Sequence, residues 1–215
     1  MKSLPDIILV GGGGHCSSVI DVIENEGRYR IAGIVDVPEK VGHMMLNYPV
    51  IGNDSELEDL IAKFSMAHIS MGHISSPEKR IQLYNIIIAL GATTPVIIAP
   101  SAHVSKYATI GEGSIVMHQA LVNVHARIGD NCIINNKALI EHNTQIGNHC
   151  HVSTGAIVNG SCNIGPSCFI GSGAVIKHGI SIAQNSIIGA GAVVYKDINK
   201  SGTYVGNPTK QIFRL

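Results

Sequence analysis

From Ile98 to Val194 every sixth residue is aliphatic, 17 positions in succession, beginning Ile98, Val104, Ile110 and ending Ile182, Ile188, Val194. At 45% hydrophobic content a run of this kind arises by chance roughly one time in a million, so the period belongs to the fold. A second series locks to the first. Two residues ahead of each aliphatic, from Ala108 to Ala192, stands Ala, Ser, Thr or Cys at every step except Ile180. A longer beat overlies both, because Ile110-Gly111, Ile128-Gly129, Ile146-Gly147 and Ile164-Gly165 recur every 18 residues and Ile182-Ala183 continues them. Six residues match neither the 3.6 of a helix nor a hairpin meander. They predict short strands separated by turns, three strands to a coil, wound into a triangular prism. The aliphatics point inward and stack on their counterparts in the next coil. The small residues fill the corners, and successive coils pair as parallel strands about 4.8 Å apart.

The first ninety residues follow another pattern. Ile7-Ile8-Leu9-Val10 is a short apolar run that meets Gly11-Gly12-Gly13-Gly14-His15, and Val19, Ile20, Val22 and Ile23 then predict a helix ending near Gly27. Further strands are predicted at 31–35 and 68–71, and helices at 56–64 and 77–90, the last with proline in its first turn. The alternation predicts a Rossmann-like βαβαβ domain over residues 1–95, with the prism and a tail over 96–215. The glycine loop is its chemically loaded part. Amides at a helix N-terminus attract phosphate, and an acid at the end of a second strand can hold a ribose hydroxyl. Gly11, Gly13 and Asp36 match two glycines and the acid of a dinucleotide fingerprint, while Cys16 stands where the third glycine belongs. The same glycines also suit a tight turn without a ligand. If a ligand binds, so short a domain fits a single nucleotide better than NAD.

Composition narrows the partners. Fifteen basic and fifteen acidic residues cancel, and no basic run interleaves with aromatics, which argues against nucleic acid. No stretch of 18 apolar residues predicts a membrane span, and the start of the chain lacks a signal-peptide core, so a cytoplasmic location is expected. Of five cysteines, Cys132, Cys150, Cys162 and Cys168 fall on the small-residue series, where packing is their expected role. Eleven histidines are many, and those of the prism lie off both inward series. His142 stands out, following Ile140-Glu141 nine residues before His151-Val152-Ser153. Nine residues is half a coil, so the two histidines belong to different faces. They can line one pocket only across a subunit boundary, which predicts a cyclic trimer.

The six-residue period resembles that of the hexapeptide-repeat acyltransferases, whose left-handed parallel β-helix is an exception to the right-handed crossover rule. Four motifs narrow the resemblance: Gly13-Gly14-His15, Ile140-Glu141-His142, His151-Val152-Ser153 and Val205-Gly206-Asn207-Pro208-Thr209-Lys210. Together they resemble the sugar acyltransferases that join a small nucleotide-binding domain to such a β-helix, namely the UDP-4-amino-sugar N-acetyltransferases of the bacillosamine pathway and the sialic acid O-acetyltransferases. The resemblance implies His142 as general base, flanked by Glu141 and Asn143, the latter standing where the family usually has an acid. It implies His151 as an acetyl-CoA contact, and Gly160, Ser172 and Ala190 along the thioester and pantetheine groove. Gly13, Gly14, His15, Asp36 and Gly72 would hold the UDP-sugar. The implied activity is N-acetylation of a UDP-linked amino-deoxy sugar by acetyl-CoA, without a metal, in a homotrimer serving bacterial glycan synthesis. The alternatives are O-acetylation of sialic acid or another sugar, and a non-catalytic nucleotide-sugar-binding scaffold. A hexapeptide-repeat carbonic anhydrase needs a third histidine where Gly160 stands between His142 and His178.

Overall fold

The computed structural model describes residues 3–212. The chain forms two compact units, one holding residues up to 72 together with 78–98, the other holding 73–77 together with those from 99 onward.

In the first unit, β1 (Asp6–Val10) buries its last four residues completely. The chain then enters α1 (Gly14–Glu26) with Gly13 as N-cap, and leaves it through Gly27, whose φ of 66° lets its amide donate to Ile23 O at 3.0 Å. β2 (Arg30–Val35), β3 (Met44–Met45), β4 (Tyr48–Gly52), α2 (Leu57–Phe64), β5 (Ala67–Ile69) and α3 (Glu78–Ala89) follow. The sheet order is β3-β4-β2-β1-β5, parallel except for the β3–β4 hairpin. That hairpin escapes the sequence reading because β3 has two residues and Pro49, lacking an amide hydrogen, breaks the strand pattern of β4. The strand expected at 68–71 is Ala67–Ile69 instead, because the following residues leave the ladder for other partners: Ser70 Oγ donates to Gly11 O at 2.7 Å. The succession of strands reverses at β1, with β2 on one side and β5 on the other. A crevice therefore opens beyond their carboxyl ends.

The second unit is the parallel β-helix. Two-residue strands pair with those 18 residues away on each of three faces, as Leu121-Val122 does with Leu139-Ile140 and Arg127-Ile128 with Gln145-Ile146. The inward aliphatics from Val116 to Val194 are all buried. The corners from Gly113 to Gly191 all turn in the same way. From Gly113 to Gly191 the third residue after each inward aliphatic has φ between 53° and 72°, the left-handed region that Gly and Asn tolerate best. The Ile-Gly beat has a steric cause, since a Cβ on Gly147 or Gly165 would stand 2.6 Å from the backbone nitrogen of Pro166 or Gln184 in the next coil. Cys, Ser and Thr interchange with Ala in the corner series because their hydrogens satisfy carbonyls 15 residues on. Cys132 Sγ donates to Gly147 O at 3.1 Å, Cys168 Sγ to Ala183 O at 3.2 Å and Ser114 Oγ to Gly129 O at 2.8 Å. All four β-helix cysteines are free and buried, as their positions in the repeat predict.

The outward residues, one place before each inward aliphatic, distinguish the faces. One face is polar and exposed, with Thr109, Arg127, Gln145, Asn163 and Ser181. A second is buried, with Ile115, Ile133, His151 and Phe169. The third carries Leu121, Leu139, Ile157, Val175 and Val193, an aliphatic stripe that is half-exposed along its whole length. The sequence reading missed this stripe, although its signal is present as an aliphatic at every eighteenth residue.

Candidate active site

His142 sits at the corner after the apolar face, one residue past Glu141, which follows the strand Leu139–Ile140. The Glu141 carboxylate braces the turn: Oε2 accepts the backbone N–H of His142 at 3.0 Å and the Asn123 amide at 2.9 Å. The His142 amide first, and the Asn123 side chain second, hold its carboxyl below the usual range. Glu141 is thus a charged bracket for the backbone of His142. Asn143 takes the left-handed turn position, φ 59°, and its side-chain Nδ2 lies 3.1 Å from His142 Nδ1. Rotating that amide offers either O or N to the ring. With Oδ1 toward the ring, Nδ1 carries the hydrogen and Nε2 keeps its lone pair, the tautomer a base needs.

On its other edge the half-buried imidazole lies over Gly160, one coil on. A Cβ at Gly160 would stand 2.7 Å from both Cε1 and Nε2 of His142, so the ring occupies space that any other residue would fill. His178, a further coil on, has its ring centroid 6.0 Å from that of His142. Among the described residues no group of three or more His, Cys, Asp or Glu is arranged to hold a metal.

The remaining β-helix candidates lie elsewhere in the chain. Ser172 and Ala190 stack with Thr154 at the corner between the buried and apolar faces, exposed, with Ser172 Oγ 2.9 Å from Ser153 Oγ. His151 is on the buried face and 6% exposed. Its Nδ1 lies 2.7 Å from His73 O, in the 73–77 segment of the same unit, and Asn135 Nδ2 lies 3.1 Å from its Nε2. A carbonyl can only accept, so Nδ1 carries the hydrogen, and the ring stands edge-on to Phe169, whose centroid is 5.2 Å away. Both nitrogens of His151 are engaged within the chain. Of the candidates in this unit, the structure gathers Glu141, His142, Asn143 and Gly160 at one corner and Ser172 with Ala190 at another.

In the first unit the expected substrate residues converge at the carboxyl ends of β1, β2 and β5. Gly13 and Gly14 are exposed, and a Cβ on either meets nothing within 4 Å, so the start of α1 is open to close approach. Gly72 leaves room for His15, 3.4 Å from where its own Cβ would be. Asp36 reaches over Gly12, its Oδ2 paired with Lys40 Nζ at 2.6 Å, and Lys40 also donates to Gly12 O at 3.3 Å. Cys16 is wholly buried, and burial pushes its thiol up to about 11, which makes it a packing residue in place of the third glycine. Sequence reasoning missed Lys40 and Arg80. Arg80 is 1% exposed and donates through one nitrogen to Ile69 O at 2.7 Å and Met71 O at 2.6 Å, fixing the loop that ends at Gly72. Its signal was an arginine on the stripe Arg80, Leu83, Tyr84 and Ile87 that α3 buries.

Comparison with known proteins matches each unit. The PglD N-terminal domain matches residues 6–87, and the bacterial transferase hexapeptide repeat matches 125–160 and 161–196. PerB from Caulobacter crescentus, solved in complex with CoA and GDP-perosamine, is 31% identical with a TM-score of 0.91 over 98% of this chain and 99% of its own. The acetyltransferase domain of PglB from Neisseria gonorrhoeae, solved with acetyl coenzyme A, is 30% identical with a TM-score of 0.89 over 98% of this chain and 100% of its own. WeeI from Acinetobacter baumannii, at 23% identity and a TM-score of 0.75 over 96% of this chain and 100% of its own, shares the fold. A search of curated proteins finds no match. The chain belongs to the sugar N-acetyltransferases that join a PglD-type N-terminal domain to a left-handed β-helix of hexapeptide repeats.

Proposed function

We propose that this protein transfers the acetyl group of acetyl-CoA to the amine of a nucleoside diphosphate-linked amino-deoxy sugar. The observation that carries the reading is the setting of His142. Its imidazole is braced at Nδ1 by Asn143 and seated over the bare backbone of Gly160, in a chain aligned nearly end to end with acetyltransferases solved with CoA ligands. The amine attacks the thioester carbonyl, and His142 Nε2 takes its proton. Backbone N–H groups of the coil stabilise the oxyanion. Glu141 and Asn143 position the base, and the amide of Asn143 supplies orientation without charge. The nucleotide belongs to the first unit, its phosphates at the open amides of Gly13 and Gly14 and its ribose at Asp36, with His15 and Gly72 beside them. The test is thiol release from acetyl-CoA with UDP- and GDP-linked 3-amino and 4-amino sugars and with sialic acid. Release with an amino sugar supports the reading. Release with sialic acid alone makes the enzyme an O-acetyltransferase, and no release with any acceptor leaves a nucleotide-binding scaffold.

The working form is a homotrimer in this reading. The aliphatic stripe is flanked by the corner of His142 on one edge and the corner of Ser172 and Ala190 on the other. Three copies that turn the stripe toward a common axis bring the first corner of one against the second corner of the next. That arrangement joins the base to a groove for acetyl-CoA. Light scattering should give the mass of three chains, and Ile157→Glu should give inactive monomers with unchanged circular dichroism. Active Ile157→Glu monomers would refute the shared site. No helix among the described residues is long and apolar enough to cross a membrane.

A further inference from the structure

Asp36 follows the last residue of β2, and the chain bends at once through a single 3-10 turn, Pro38–Lys40. Proline presets the backbone of the first turn residue. The amides of Lys40 and Val41 donate to Val37 O at 3.0 Å and Pro38 O at 3.2 Å, so the turn is pinned where it begins and ends. Lys40 stands four residues after Asp36 with its side chain folded back over the glycine loop. Its ammonium donates to Asp36 Oδ2 at 2.6 Å and to Gly12 O at 3.3 Å, while 45% of the side chain stays exposed. Among the described residues these two bonds leave one of the three ammonium hydrogens for another acceptor.

Gly12 O and Gly13 N belong to one peptide unit, and the two covalent bonds between them hold Lys40 Nζ within about 6 Å of the Gly13 amide. An anion seated on the amides of Gly13 and Gly14 is therefore a small swing away from the lysine. The loop needs that charge. The Asp36 carboxylate lies against Gly12 and repels an anion placed there, and Lys40 offsets it. The helix brings no polar group of its own to the spot, since Gly13 caps α1 without a side-chain hydrogen bond and the first turn holds no acid. Arg80, the buried cation behind the loop, is turned to the carbonyls of Ile69 and Met71. We propose that Lys40 is a substrate-binding residue that donates to the phosphate next to the ribose, and so makes the site select a phosphorylated nucleoside over the nucleoside alone. The ammonium lies between Asp36 and the loop, which is where that phosphate must pass if the ribose is on Asp36 and the phosphates are on the glycine amides. A lysine serves here as a point charge, bridging carboxylate and phosphate. Its present ion pair is half-exposed and weakly held, so little opposes the swing.

The proposal rests on the nucleotide reading of the first unit, and the test keeps the two apart. Dissociation constants of UDP and GDP are measured by calorimetry, and those of uridine and guanosine by competition, for the full-length wild type and Lys40→Met. The variant should bind the diphosphate that the wild type prefers roughly 10-fold to 100-fold more weakly, the range for a lost hydrogen bond to a charged group. Its affinity for the matching nucleoside and for acetyl-CoA should hold. A nucleoside weakened by the same factor would make Lys40 a brace for Asp36 and overturn the phosphate contact, and so would an unchanged diphosphate affinity or an equal loss of acetyl-CoA. Wild-type protein that binds neither diphosphate would overturn the nucleotide site itself, and the role of Lys40 with it.

Discussion

The two units present their candidate chemistry on opposite terms. In the β-helix, His142, Asn143, Ser172 and Ala190 stand on corners whose backbone is repeated at every coil, so the fold depends little on which side chain a corner displays. In the α/β unit the site and the fold share residues. Gly12 lies against Asp36, Ser70 ties Gly11, and the buried Arg80 holds the loop of Gly72. A repeated scaffold lets function vary without cost to stability, whereas a single-copy sheet edge makes each site residue also a structural one. Replacing one of these outward corner residues should therefore alter rate alone, and replacing a crevice residue should alter stability as well.

The sharpest test of the corner side is His142→Ala, which should lower kcat by about 100-fold to 10,000-fold while thermal unfolding and both Michaelis constants stay near wild type. A large fall in melting temperature with it would erase the contrast. On the crevice side, Arg80→Met leaves the buried carbonyl of Ile69 and the part-buried one of Met71 without their donor. At about 1–3 kcal/mol for each, it should destabilise the first unit by roughly 3 kcal/mol and speed amide exchange in β5. Unchanged exchange would show that the loop holds itself.

A third test uses pH. His68 in β5 is fully buried, and burial first, then the charges of Arg80 and His15, push its imidazole down to about 3. The unfolded chain takes up this proton near its ordinary value of about 6.5, but the folded chain does not until near 3. Its contribution to stability is therefore complete above about 6.5 and is lost as pH falls toward about 3, at about 1.4 kcal/mol per pH unit. His68→Leu should remove one proton's worth of that slope from the unfolding of the first unit, and an unaltered slope would show that another group sets it. The fourth test stays at the corner. Asn143→Asp places a negative charge beside His142, favours the protonated ring, and should move the acid limb of kcat to higher pH. An unmoved limb would mean that position 143 orients the ring without tuning it. The smallest effect is expected of Cys168→Ala, a change already made by the repeat itself at Ala156 and Ala174, with turnover nearly intact and stability down by about 1 kcal/mol for one lost weak hydrogen bond. Loss of activity in folded protein would give that thiol a role the packing does not.

Much of the β-helix was legible in the sequence because a coil of 18 residues restates its rule several times over. The inward aliphatics, the corner cysteines and the different faces of His142 and His151 all follow from counting. The βα order of the first unit and its glycine loop were legible from apolar runs and glycines. A hairpin of two-residue β3 and proline-bearing β4 was not, because neither strand is long enough to show a period. Tertiary structure alone decided the rest, since each case depends on what stands opposite a residue in space. It seated His142 over Gly160 and near His178, and it made Glu141 a bracket. It turned both nitrogens of His151 to partners 78 and 16 residues away, and put a buried arginine behind the Gly72 loop. Periodicity in one dimension fixes which way a side chain points, while its partner is set by the packing of segments distant in the chain.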